Sequence, residues 1–141
     1  MCSSDLWFMT GDLVTRDEDN YFCFVSRKKD IIRRRGENIA GAEIDRVIQL
    51  HPGVFEVAAL PVPSELGEDE ILVAIVPKPG VTLTALEIAQ WCAERLAAMK
   101  VPRFVLFVND LPHTPTHKVA KHALKADRTL KARAIDLQAK P

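Results

Sequence analysis

The chain has 141 residues, of which 48% are hydrophobic and 27% are charged, with 19 basic and 19 acidic side chains. This length fits one ordinary domain with a real core, and the average composition argues against disordered and fibrous classes. A formal net charge of zero argues against bulk binding of nucleic acid.

The three cysteines are odd in number, widely spaced and without a CxxC pair: Cys2, Cys23 and Cys92. This usage predicts reduced thiols in a cytosolic protein and no metal site. No apolar run approaches the roughly 20 residues of a membrane span, and residues 1–6 lack the apolar centre of a signal peptide. We therefore expect a cytoplasmic protein without a membrane span.

The first part of the chain has the pattern of a β-hairpin. Two turn-forming clusters, Thr10–Asp12 and Asp17–Asn20, flank a short apolar pair, Leu13 and Val14, and the aromatic run Tyr21–Val25 follows. This order predicts strand, turn and strand. A turn aspartate such as Asp12 often bonds its own backbone, so the pattern alone leaves its role open.

A basic stretch follows, in which six cationic side chains surround Ile31 and Ile32 before a single glycine, Gly36: Arg27, Lys28, Lys29, Arg33, Arg34 and Arg35. Guanidinium forks match phosphate oxygens, and glycine lets a ligand approach the backbone. A solvated strand edge, which discourages aggregation, explains the same charges. We expect a short strand over Ile31–Arg35 and a loop over Gly36–Ala40.

The remaining pattern alternates helices with strands. Helical spacing of apolar residues starts at Ala42, and a capping box of Thr84 and Glu87 starts a second helix. That helix contributes Trp91 and Cys92 to the expected core. Strands are predicted over Val54–Val62, Glu70–Val76 and Phe104–Val108, the first two as an antiparallel pair.

The final third of the chain is less periodic. An exposed loop, Asn109–His117, is expected to carry Lys118 into a short helix over Val119–Ala126, and residues 127–141 are either helical or frayed. Together the elements predict an α+β fold, a small antiparallel or mixed sheet flanked by helices and preceded by the hairpin.

Four separated motifs stand in an order that resembles the C-terminal part of the adenylate-forming (AMP-dependent) acyl-CoA synthetases: Trp7–Asp12, Tyr21–Ile32, Arg35–Ile39 with Glu43–Asp45, and Asp110–Lys118. The resemblance covers roughly residues 7–126. It implies that residues 1–28 end a large N-terminal adenylation domain, that residue 29 is a hinge, that residues 30–126 form a mobile lid, and that residues 127–141 are a tail.

The resemblance implies an acid–thiol ligase that works in two steps. A carboxylic acid attacks the α-phosphate of ATP to give an acyl-adenylate, and the thiol of coenzyme A then displaces AMP. ATP, Mg²⁺ and coenzyme A are the implied cofactors, and the N-terminal adenylation domain of the same protein is the implied partner. Fatty acid metabolism is the implied setting. The family's phosphate-cradling loop and acid pocket have no counterpart in these residues, so we expect the chain alone to be inactive.

Residue roles carry over by motif position. Asp12 and Arg27 would contact the ribose hydroxyls of the nucleotide, and Lys29 would be the hinge. Lys118 would act in the first step, although many family members have glycine immediately before this lysine and the chain has His117. Without the motif, Lys29 and Lys118 would be ordinary surface lysines.

For the second step, Gly36 would leave room for the pantetheine arm of coenzyme A. Glu37 would shape the same loop, and the arginines Arg33, Arg34 and Arg35 would meet the phosphates of coenzyme A.

Two other classes stay open. An adenylation domain that loads a carrier protein, or a luciferase-like oxidising enzyme, would keep the first step and change the acceptor. A free-standing nucleotide-binding or protein-binding module would keep neither.

Overall fold

The first two strands form the predicted hairpin in the computed structural model, which describes residues 10–27, 31–34, 36–64 and 67–137. Strand β1 (Asp12–Arg16) pairs antiparallel with β2 (Phe22–Arg27). Asp17 closes the turn, because its Oδ1 accepts hydrogen bonds of 2.9 Å from the backbone amides of Asp19 and Tyr21. The hairpin leaves large apolar side chains exposed, among them Tyr21, Phe22 and Phe24.

A second hairpin follows, which we call the Gly36 hairpin (residues 31–40). Strand β3 (Ile31–Arg34) pairs antiparallel with β4 (Glu37–Ala40), and Ile32 lies opposite Ile39. Both isoleucines are buried. The expectation of a loop over Gly36–Ala40 is therefore wrong, because Ile39 joins the core and its segment pairs as a strand.

Helix α1 (Gly41–Gln49) begins without a side-chain cap, because Ala40 at the N-cap position has no side-chain oxygen. Helix α2 (Ala85–Arg95) begins as expected, with the Thr84 hydroxyl accepting a hydrogen bond from the Glu87 amide. A 3-10 helix (Ala98–Lys100) follows α2. None of the helices in the described ranges combines the length and apolar character that crossing a bilayer requires.

The main sheet has four strands in the order β5 (Val54–Pro63), β6 (Asp69–Pro77), β7 (Phe104–Phe107) and β8 (Ile135–Asp136). The pair β5 and β6 is antiparallel, β6 and β7 are parallel, and β7 and β8 are antiparallel. The sheet is mixed and flanked by helices, which confirms the α+β class.

The last described residues, 121–137, form two helices and the fourth strand of the main sheet. Helix α3 (Lys121–Ala126) and helix α4 (Leu130–Arg133) precede β8. Lys131 of α4 donates a 2.8 Å hydrogen bond to the Pro63 carbonyl. The segment from residue 127 thus belongs to the sheet and its helices as far as residue 137.

Both faces of the main sheet are covered. On the first face, Val73 and Ile75 of β6 pack with residues of α1, α2 and the Gly36 hairpin. On the second face, Leu72 and Ala74 pack with α3, α4 and Leu111. Adjacent residues of a strand point to opposite faces, so the two clusters of buried side chains are separated by the sheet.

Cys92 lies in the first-face core, as predicted, and Trp91 beside it is half-buried. Burial raises the pKa of the Cys92 thiol to about 12. The thiol is therefore protonated at neutral pH and packs as a small apolar side chain.

Candidate functional site

The turn of the Gly36 hairpin is exposed and needs glycine. Gly36 has a φ of +78°, in the left-handed region that other residues rarely adopt, and a Cβ built there would meet nothing within 4 Å. Arg33 and Glu37 beside it are exposed. Within the described chain the backbone conformation, and not crowding, is what requires glycine at this position.

The three neighbouring arginines have different surroundings. Arg33 points outward, while Arg34 is only 3% exposed. The Arg34 Nη1 donates hydrogen bonds of 2.8 Å to the carbonyls of Met99 and Val101, and its Nε lies 2.8 Å from Glu70 Oε2. The prediction that Arg34 contacts coenzyme A is therefore corrected, because its guanidinium is buried and engaged. Arg35 lies outside the described residues.

Lys118 lies in a tight loop that we call the Lys118 loop (residues 113–119), which is closed by a bridge between His113 and Val119. The Thr114 amide donates to the Lys118 carbonyl over 2.7 Å, and the Thr114 hydroxyl accepts from the Lys118 amide over 3.3 Å. Helix α3 starts only at Lys121, so the short helix begins two residues later than predicted. The backbone of the lysine is fixed by the loop itself.

The amine of Lys118 is available. The residue is exposed, and its Nζ has no hydrogen bond or ion pair with any residue in the described ranges. His117, where many relatives were expected to have glycine, has a φ of +65°. It therefore adopts the conformation that a glycine would adopt without strain.

Two anchors fasten the Lys118 loop to the domain. Leu111, just before the loop, is 2% exposed and packs in the second-face core. His113 Nε2 lies 2.7 Å from Glu56 Oε1 on strand β5. The sequence reasoning missed both Glu56 and His113, because their contact joins distant parts of the chain.

Glu56, Asp110 and His113 also bring three donor atoms within 4.8 Å of one another, close enough for one cation. Imidazole nitrogen and carboxylate oxygen suit a metal such as Zn²⁺. The histidine is already hydrogen-bonded to Glu56, however, and this contact by itself explains the group as a loop anchor.

The Gly36 hairpin and the Lys118 loop are attached to opposite faces of the main sheet. Ile32 and Ile39 of the hairpin belong to the first-face core. Leu111 and Val119, on either side of Lys118, belong to or pack against the second-face core. Each candidate group thus has its own side of the domain.

Asp12 and Arg27 are brought together by the first hairpin, in which they are directly opposite each other in register. Asp12 is exposed, and its amide donates a 3.2 Å hydrogen bond to the Thr10 hydroxyl. The side chain of Arg27 and the whole of Lys29 lie outside what the structure describes.

Comparison with known proteins gives a consistent picture. The family described as "AMP-binding enzyme C-terminal domain" matches residues 43–118. A mitochondrial medium-chain acyl-CoA ligase from Danio rerio is 40% identical over 129 residues, which are 92% of this chain and 21% of the relative. An oxalate–CoA ligase from Arabidopsis thaliana is 40% identical over 115 residues, covering 82% of this chain and 22% of the relative. The chain thus spans about a fifth of these relatives.

Solved structures show the same fold. The o-succinylbenzoate CoA synthetase of Bacillus subtilis, solved with its acyl-adenylate intermediate, matches with a TM-score of 0.79 and 29% identity, covering 89% of this chain and 25% of that one. The amide bond synthetase of Marinactinospora thermotolerans matches with a TM-score of 0.76 and 29% identity, covering 87% and 25%.

Proposed function

Because the chain belongs to the family of AMP-binding enzyme C-terminal domains, we propose that it is the lid of an ATP-dependent acyl-CoA synthetase. In the complete protein this lid would serve first the activation of a carboxylic acid as acyl-adenylate and then its transfer to coenzyme A. The observation that supports the proposal is that the Lys118 loop and the Gly36 hairpin are attached to opposite faces of one sheet.

In the first step, Lys118 supplies positive charge where two anions meet. The carboxylate of the acid attacks the α-phosphate of ATP, the new bond is an acyl–phosphate anhydride, and pyrophosphate leaves with the electron pair of the broken bond. An exposed ammonium group on a fixed loop stabilises the negative charge that is redistributed in this transition state. The Lys118 amine has no competing partner among the described residues.

In the second step, the thiolate of coenzyme A attacks the acyl carbon and AMP leaves. Gly36, exposed at a turn, lets the pantetheine arm pass beside the backbone, and Glu37 shapes that turn. Arg33 is exposed on the same hairpin and meets a phosphate of coenzyme A, with Arg35 as the second candidate. Arginine suits this role because its guanidinium fork matches phosphate oxygens.

Two groups on opposite faces cannot serve one adenylate without a rotation of the lid. We assign the hinge to Lys29 and assign Asp12 and Arg27, which are opposite each other in the first hairpin, to the ribose hydroxyls. Residues 1–28, which include the first hairpin, then belong to the N-terminal adenylation domain. The exposed aromatic side chains of this hairpin, Tyr21, Phe22 and Phe24, pack against the rest of that domain. A hinge residue absorbs the change in backbone angles.

The other substrates follow from the same proposal. ATP enters with Mg²⁺, and the acid pocket lies in the N-terminal domain. Fatty acid metabolism is the proposed setting and the cytoplasm the proposed compartment, although some relatives carry mitochondrial names. The choice of acid is made by a pocket outside this chain.

The test uses the complete protein with ATP, Mg²⁺, coenzyme A and a panel of carboxylic acids from short to long chains. Pyrophosphate, AMP and the acyl-CoA are quantified together. We expect release of pyrophosphate that depends on the acid and one acyl-CoA for each AMP. Absence of acid-dependent pyrophosphate with every acid would contradict the proposal.

A second candidate keeps the first step and replaces the thiol by another acceptor. The match to an amide bond synthetase favours including it, because that protein has the same lid fold. Repeating the assay with amines or a carrier protein in place of coenzyme A separates the two, since only the true acceptor yields a stable acyl product.

The free-standing module is tested on the 141-residue chain. We expect no saturable heat of binding with AMP or coenzyme A in calorimetry, because a lid needs the surface of its large domain. Saturable binding by the chain alone would support the module.

A further inference from the structure

Two charged side chains are buried among the residues that the structure describes, Arg34 and Glu70. Along β3, Ile32 and Arg34 face the interior while Arg33 faces out. Arg34 therefore occupies an inward position next to the turn, where an apolar residue would be the ordinary choice. A buried charge persists only when its partners are well placed.

The partners of Arg34 come from two other parts of the domain. The carbonyls of Met99 and Val101 belong to the 3-10 helix and the residue after it, and each accepts a 2.8 Å hydrogen bond from Nη1. Glu70 lies near the start of β6, with its Oε2 2.8 Å from the Arg34 Nε. The guanidinium thus ties the end of β3 to the main sheet and to the segment that enters β7.

Glu70 is itself held in place. Its Oε1 lies 3.8 Å from Arg103, which in turn forms a two-pronged ion pair with Asp136 of β8, with both contacts at 3.1 Å. The carboxylate that receives Arg34 is therefore part of a chain of charges that joins β6, the residue before β7, and β8.

We infer that Arg34 and Glu70 are positioning residues for the transfer of the acyl group to coenzyme A. The inference rests on the proposed function. Arg34 is directly opposite Glu37 in register, so these two residues flank the turn that contains Gly36. Fixing the Arg34 side chain fixes the strand end from which this turn starts, and the pantetheine arm passes beside this turn.

A charged clamp differs from an apolar side chain in what it fixes. Apolar packing fills volume and tolerates small displacements, whereas two directed hydrogen bonds from Nη1 and an ion pair at Nε fix the position and tilt of the strand end. A displacement of about 1 Å in a group that orients a substrate lowers a rate by on the order of a hundredfold. Arg34 belongs to the Gly36 hairpin, which packs on the first face, whereas the Lys118 loop is attached to the second face, so we expect the first step not to depend on Arg34.

The test measures the two steps separately in the complete protein. Arg34→Met removes the clamp, Arg34→Lys keeps the charge without the fork, and Glu70→Gln keeps the shape without the charge. Ile88→Ala is the matched control, since Ile88 is fully buried in the same first-face core and its truncation destabilises the domain without touching the clamp.

For Arg34→Met we expect transfer from preformed acyl-adenylate to coenzyme A to fall at least about tenfold, with a raised KM for coenzyme A. Acid-dependent pyrophosphate release should stay within about twofold of the wild type. Arg34→Lys and Glu70→Gln should give intermediate losses of the same step. Ile88→Ala should lower the melting temperature and affect both steps alike.

Equal loss of both steps in Arg34→Met and Glu70→Gln, or no loss of transfer in either, would overturn the inference. If Arg34→Met does not fold, Arg34→Lys and Glu70→Gln decide. Failure of the proposed function is recognised separately, because the wild type would then form no acyl-CoA. In that case amide hydrogen exchange at residues 37–39 still reads the clamp, and the inference requires faster exchange in Arg34→Met than in Ile88→Ala.

Discussion

The Gly36 hairpin is held by two buried isoleucines and a buried charge, whereas the Lys118 loop is held by the buried Leu111, by its own backbone and by one partly exposed side-chain pair. Arg34, on strand β3 of the hairpin, is 3% exposed, while the side chains of His113 and Glu56 are 33% and 24% exposed. Under the proposed function the two regions serve different needs. A channel for a long ligand needs backbone atoms whose position does not vary. A lysine that meets two anions needs a fixed backbone and a side chain that can reach both.

The difference fits the proposal that one domain takes part in two reactions. Each candidate group is attached to its own core, one on each face of the main sheet. A change in the Gly36 hairpin should therefore leave acyl-adenylate formation nearly intact, and a change in the Lys118 loop should leave transfer to coenzyme A nearly intact. The following variants measure how far this separation holds.

Lys118→Ala should have the largest effect. Removing the ammonium group takes away stabilisation of the transition-state charge, so acyl-adenylate formation should fall by on the order of a hundredfold or more. Transfer from preformed adenylate to coenzyme A should remain within a fewfold of the wild type. Lys78→Ala is the matched control, because Lys78 is also an exposed lysine next to a turn. Equal loss of both steps would remove Lys118 from the proposed role.

Gly36→Leu should do the reverse, with transfer to coenzyme A reduced by about tenfold to a hundredfold while pyrophosphate release persists. The backbone strain of a left-handed leucine, about 1–2 kcal/mol, accompanies the blocked channel. Gly80→Leu separates the two causes, because Gly80 has a φ of +76° and the same open surroundings. Similar loss of transfer in both variants would show that strain alone is responsible.

His113→Ala should have a modest effect on the first step only. The contact with Glu56 is partly exposed, so its loss should lower acyl-adenylate formation about twofold to fivefold, equivalent to roughly 0.5–1 kcal/mol. Glu56→Gln should give a similar or smaller change. Glu94→Ala, which removes an exposed ion pair with Arg95, is the control. A larger loss in transfer than in activation would contradict the separation of the two faces.

Local patterns were enough to predict most elements. The turn cluster at Asp17, the capping threonine Thr84 and the apolar runs of β5 and β6 each have a short-range cause, and the structure contains these elements close to the predicted bounds. The two-residue strand β8 was missed because it is too short for any periodicity to appear.

The placement of the basic residues could not be predicted in the same way. Ile31 and Ile32 are both apolar, so alternation along β3 does not say whether Arg33 or Arg34 faces inward. The partner of Arg34, Glu70, is remote in sequence. Strands β5 and β6 are apolar on both sides because both faces are covered, and this continuous pattern hides which face each motif packs against.

His117→Gly should have the smallest effect and should sharpen the comparison from the stability side. A histidine in the left-handed region costs about 1–2 kcal/mol of stability, and the substitution removes this cost. Glycine has greater conformational freedom in the unfolded chain, which offsets about 0.4–1 kcal/mol of that gain. The free energy of unfolding, measured in urea on the 141-residue chain, should therefore rise by about 0.5–1 kcal/mol. Asn20, also non-glycine at a φ of +66°, provides the control Asn20→Gly, in which a smaller gain is expected because asparagine tolerates this region.

Pyrophosphate release by the complete protein should stay within about twofold, since the loop keeps its hydrogen bonds. A large loss of activation without loss of stability would instead place the histidine ring itself at the reacting groups.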